Sequence, residues 1–116
     1  MGRMVWTAAA MVLAMASGSA SANAFNGAKA ITNGNLRVAE REIVAQRALY
    51  PDQVDLMVNL ATVYLRTNRV AEARRVWAAV AATPDQELVL SGGVPASSHA
   101  LAERALRTLP TQVAAR

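Results

Sequence analysis

A small residue followed four positions later by a large apolar one occurs twice in this chain, 34 residues apart: Ala39 with Ile43, then Ala73 with Trp77. With about 3.6 residues per turn, a four-residue step keeps both members of a pair on one helix face. Recurrence at this interval implies one helical unit used more than once, each copy burying the face that its neighbour leaves open. Proline punctuates both units, at Pro51 and Pro84. The ring removes a backbone N–H and pushes the preceding residue out of helical geometry, so a helix ends there. The pattern constrains this part of the chain to antiparallel helices packed side by side.

The remaining periodicity places the elements. Leu36, Ala39, Ile43 and Tyr50 fall along one side of a helix whose other sides carry Arg37, Glu40, Arg41 and Arg47. Asp52 then offers a capping oxygen or a first-turn charge, and Asp55 adds another near the positive end of the helix dipole. A second helix is expected from about Gln53 to Arg66, with Leu56, Met57, Leu60, Tyr64 and Val63 facing inward and Ala61 admitting a neighbouring backbone. Thr67, Asn68 and Arg69 make a turn. A third helix from about Val70 to Ala82 presents Ala73, Trp77 and Val80, and Thr83-Pro84-Asp85 ends it. Trp77 and Tyr64, large aromatics opposite alanines, read as knobs in a helix-pair core.

Beyond Pro84 the helical period fails. Glu87 to Leu90 alternates polar and apolar before Ser91-Gly92-Gly93, which predicts a short hairpin returning through Val94, with Pro95 holding the return strand at an edge. Ser97 or Ser98 can cap a last helix that buries Leu101, Ala105 and Leu106 or Leu109.

Met57, Leu60, Ala61 and Tyr64, spaced M-x2-L-A-x2-Y, together with A-x3-W at Ala73 and Trp77 and the closing Pro84, resemble the tetratricopeptide repeat (TPR) family. With the Gly-Gly hairpin and the following S-S-H-A-L-A-E-R-A-L, the stretch from Leu36 to Leu109 is similar to small exported TPR proteins of proteobacteria. The resemblance implies an all-α fold. A TPR-like helix-turn-helix region of about three helices would occupy residues 36–84, and a short hairpin with a C-terminal capping helix residues 85–116. Met57 and Ala61 stand where the family often has Trp and Gly, Pro84 comes one residue early, and the first unit lacks its leading helix. Fewer than about three repeats seldom stand alone, so the last helix or another chain must complete the core.

The family's usual role is to bind another protein, with the first helix of a pair lining the concave side. Counted from Leu60 and Tyr64, the outward groove positions are Asp55, Val58, Asn59, Thr62 and Arg66. Asn59 could hydrogen-bond a peptide backbone, and Arg66 could pair with a carboxylate. With Asp55 acidic and one cation in the row, this is not the family's carboxylate clamp. The expected partner is a protein or peptide, or a second copy of the chain.

The first 22 residues read as an address. Arg3 precedes an apolar run from Met4 to Ala16, and small residues follow to Ala22 or Ala24, which is the order of a cleavable signal peptide. The run is shorter than the roughly 20 residues a spanning helix needs. Cleavage after Ala22 or Ala24 would leave about 92 to 94 residues in the periplasm or outside the cell, not spanning the membrane. Residues 23–35, rich in Gly, Asn and Ala, are expected to form a flexible leader into the fold.

Composition narrows the chemistry. The chain has no cysteine, so disulfides and thiolate metal sites are excluded. Without the leader, eleven cations face eight acids, and they interleave along the helices as solvated ion-paired faces do. A nucleic-acid surface would want clustered cations with aromatics among them. No metal or cofactor motif is present, since Gly92-Gly93 lacks the Lys-Ser/Thr of a phosphate loop. The expectation is a non-enzymatic module. Two rivals stand beside it: a small hydrolase using Ser98, His99 and Glu103, and a structural subunit of an envelope complex with no ligand of its own.

Overall fold

A computed structural model describes residues 14–15 and 26–110. Its elements are β1 (Ala14–Met15), α1 (Ala28–Thr32), α2 (Leu36–Leu49), α3 (Val54–Arg66), α4 (Val70–Ala82), β2 (Glu87–Leu90), β3 (Pro95–Ser97) and α5 (Ser98–Thr108). The described chain is mostly helical, with one small antiparallel sheet. The remainder of the expected signal segment, both candidate cleavage points and residues 111–116 lie outside the described residues.

The two Ala/large pairs share one interior. Ala39, Ile43 and Ala73 have no exposed surface and Trp77 retains 4 %, all within one apolar cluster. The alanines let backbones approach, and Ile43 and Trp77 fill the space so created. α3 is the central element, packed between α2 and α4, and ten of its 13 residues are buried. Its turn into α4 rests on Asn68 in the left-handed region (φ 61°), a conformation Asn tolerates, with the Arg69 N–H closing onto the Tyr64 carbonyl.

That turn is clamped from outside. The Arg69 guanidinium forks onto Glu40 of α2 at 2.6 and 3.1 Å and lies 4.8 Å from the centre of the Tyr64 ring. Tyr64 is therefore half-buried beneath a cation rather than a knob in the interior. The hydrogen bond from Arg69 holds the Glu40 carboxyl below its ordinary range against the opposing effect of burial.

The hairpin forms as its spacing predicts. β2 and β3 pair antiparallel, Leu88 opposite Ala96, and Leu88 points into the core at 1 % exposure. Gly92 and Gly93 take φ of 87° and 79°, which a side chain would strain. Pro95 sits on an edge strand, where its missing N–H costs nothing. On the other edge β1 adds two residues, Ala14 opposite Leu90 and Met15 opposite Val89. α5 then packs on α4, burying Ala102 and leaving Leu101, Ala105 and Leu106 half-buried. Arg74 of α4 donates to the Leu106 and Leu109 carbonyls, each at 3.1 Å, and so satisfies acceptors that a helix end leaves open.

Two local expectations are corrected. Asp52 caps nothing: the N-cap of α3 is Gln53, without a side-chain cap, and Asp52 is exposed. Residues 26–35 are not a flexible leader. Asn26, Gly27, Ala28 and Ile31 are buried, and the segment bends into the short helix α1 before turning through Gly34 into α2.

Candidate interaction groove

Asp55, Val58, Asn59, Thr62 and Arg66 are spaced by three and four residues and form one continuous stripe along α3, as the period requires. The stripe is not open to solvent. Asp55, Val58, Asn59 and Thr62 retain at most 3 % exposure, and only Arg66 is exposed. The chain's own residues 26–31 hydrogen-bond along the stripe and β1 also packs against α3, so an outward face becomes an interior one.

The contact is polar and specific. Asn26 donates its side-chain amide to the Asp55 carboxylate at 3.0 Å, while the Asn59 amide donates to the Asn26 main-chain carbonyl at 3.0 Å. The Asn26 side-chain oxygen accepts from the Ala28 N–H at 3.1 Å, so this one residue both starts α1 and fixes it to α3. Further along, Arg66 reaches the Ile31 carbonyl at 3.5 Å. Thr62 turns its hydroxyl back to the Val58 carbonyl at 3.0 Å, which lets a polar side chain lie in an apolar row.

Gly27 sets the closeness of the approach. Its φ is 86°, and a Cβ there would lie 2.5 Å from Cγ1 and Cδ1 of Ile43. Only glycine fits both the backbone twist and the space. Asn26, Gly27, Ala28 and Ile31 are thus site residues that the periodicity of the helices does not reveal. Their signature is short: an Asn-Gly turn followed by Ala and Ile one helical turn apart.

The Ser98, His99 and Glu103 cluster is placed otherwise. Ser98 is buried, donating to the Asp85 carboxylate at 3.2 Å and accepting from the Gln86 N–H at 2.9 Å. His99 places Nε2 2.6 Å from the Thr83 carbonyl. A carbonyl only accepts, so that nitrogen carries the proton and cannot take one from a serine. Glu103 is exposed on α5. The nucleophile, base and orienting acid of a hydrolase are not brought into a relay.

Ser98 and His99 instead join Ser97 and Asp85 in a cap. One Asp85 oxygen accepts from Ser97 Oγ at 2.8 Å and the His99 N–H at 3.0 Å, while Ser97 Oγ accepts from the Ala100 N–H at 3.1 Å. The backbone N–H of His99, then the Ser97 hydroxyl, holds the Asp85 carboxyl below its ordinary value. A carboxylate at the start of α5 also meets the positive end of the helix dipole. Among the described residues no three His, Asp or Glu side chains converge as metal ligands, and no helix is long and apolar enough to cross a membrane.

No known family, curated protein or solved structure matches this chain.

Proposed function

We propose that this chain is an exported helical module of the TPR kind that binds a protein segment along the Asp55 to Arg66 face of α3 and carries out no chemistry itself. One observation carries the proposal: the face holds a stretch of polypeptide by its main chain, through Asn59 on the Asn26 carbonyl and Arg66 on the Ile31 carbonyl. Main-chain carbonyls are common to every peptide, so a face that grips them suits a peptide groove. The repeat reading draws support from Ala39, Ile43, Ala73 and Trp77, which lie in one interior as stacked units would place them. Export rests on Arg3, the apolar run after it and the small residues up to Ala24.

The test is a screen of random short peptides against the purified chain. Retained peptides should lose about tenfold in affinity to Asn59→Ala and to Arg66→Ala, the worth of one hydrogen bond of about 1.4 kcal/mol. The reading fails if no peptide is retained, or if the retained ones bind both variants as well as the unaltered chain. Export is checked by N-terminal sequencing of protein from the periplasm and medium, which should begin at Asn23 or Phe25.

A further inference from the structure

One of the segments that cover the groove, α1, is small. α1 has five residues, well below the roughly 12 that hold a helix in water without tertiary support, so α3 and α2 must supply its stability. It joins α2 through Asn33-Gly34-Asn35, where Gly34 has a φ of 83° and nothing lies within 4 Å of the position its Cβ would take. The turn is fastened by short-range main-chain bonds, Gly34 N–H to Ile31 and Asn35 N–H to Ala30. A change of dihedrals at Gly34 would move residues 26–32 relative to α2.

The chemistry of the seated segment is selective. An amide at position 26 satisfies a buried carboxylate, where a second carboxylate would be repelled. Position 27 tolerates no side chain against Ile43. Ala28 and Ile31 then enter the same apolar cluster as Ile43, Val54 and Val58. These requirements would apply to any chain occupying the same place.

Resting on the groove reading above, we infer that residues 26–32 are a built-in ligand that a partner must displace, and that the partner is a segment of like chemistry. Such a segment has Asn, then Gly, then a helical turn carrying Ala and an aliphatic residue at a spacing of three. The tether holds the internal ligand at high effective concentration, so a competitor's apparent affinity falls by the fraction of chains that are closed. Loosening the segment should therefore raise affinity for a free copy of it.

The probe is a labelled peptide of residues 26–32, Asn-Gly-Ala-Lys-Ala-Ile-Thr, titrated by fluorescence anisotropy into the full chain. Two variants open the groove by different means: Gly27→Ala by collision with Ile43, and Asn26→Asp by charge against Asp55. Both should bind the peptide at least about tenfold more tightly than the unaltered chain. Adding Asn59→Ala to Gly27→Ala should remove about tenfold of that gain, and a peptide carrying Gly27→Ala should not bind. Equal affinity for the unaltered chain and both variants overturns the inference, as does absence of binding by variants that keep their helical circular dichroism. Loss of fold in both variants also overturns it, because the segment would then be part of the core rather than a displaceable ligand. Screened peptides that bind the unaltered chain and Gly27→Ala equally would refute the internal ligand and leave the groove standing. Uptake of the residue 26–32 peptide with no foreign peptide bound would do the reverse.

Discussion

Trp77→Ala tests whether the two Ala/large pairs hold the domain together. The indole is 4 % exposed and packs in the cluster that contains Ala39, Ile43 and Ala73. Burying roughly 150 to 250 Å² at about 25 cal/mol per Å² contributes about 4 to 6 kcal/mol. Alanine keeps the Cβ but leaves a cavity, so the expected loss is about 3 to 5 kcal/mol. A domain of about 85 described residues has a total stability of about 4 to 13 kcal/mol. The variant should thus lie at the edge of unfolding. Urea titration followed by far-ultraviolet circular dichroism would show a large fall in midpoint with unchanged slope, and Trp77→Phe, which keeps a ring in the same place, should lose much less. A Trp77→Ala chain that unfolds within about 1 kcal/mol of the unaltered one would refute the shared interior, because no buried indole leaves a close-packed core that cheaply.

Other expectations follow from the polar fastenings. The Asp85 carboxyl is depressed below its ordinary 3.8, so its stabilisation is complete above that value and is lost as pH falls through the lower folded one; Asp85→Asn should flatten that acid limb in pH-dependent melting and speed hydrogen exchange at the start of α5. Glu40→Gln should cost less than about 1 kcal/mol, since the pair with Arg69 is partly solvated, and the difference should vanish at high salt in thermal melts. The same carboxyl is depressed below 4.5, so the Glu40 contribution is present above that value and fades as pH drops through its folded one. His99→Ala should leave peptide binding unchanged, because the ring bonds the Thr83 carbonyl rather than a residue of the α3 stripe; a lost ester-hydrolysing activity would instead restore the hydrolase reading.

The helices were legible because their signals are local. α2, α3 and α4 begin and end within a residue of where Leu36, Pro51, Thr67 and Pro84 place the breaks, and Pro95 marks the edge strand. The groove was legible only as a stripe. Asp55, Val58, Asn59, Thr62 and Arg66 do share one side, but the first four are buried under segments distant in sequence, residues 26–31 and β1, and periodicity within a helix carries no such information. One sign of it stands in the sequence. Between Asp55 and Arg66 there is no charged residue, whereas α2 carries Arg37, Glu40, Arg41, Glu42 and Arg47; a helix without a charged face is a central one. α1 escapes because five residues cannot display a helical period. The Asp85 cap escapes for a similar reason: its partners are 12 to 14 residues away, across a hairpin.

The outer side of α5 has a consequence for what could pack against it. Ala100, Glu103, Arg104 and Arg107 point to solvent there, and Arg74 has already claimed the closing carbonyls of that helix. A further helix pair laid on this side would have to desolvate three charges for little apolar gain. At the opposite end Val44, Leu49 and Tyr50 of the α2 region stay substantially exposed. The two outer helices thus differ in kind, α5 presenting charge to solvent and the end of α2 presenting apolar side chains.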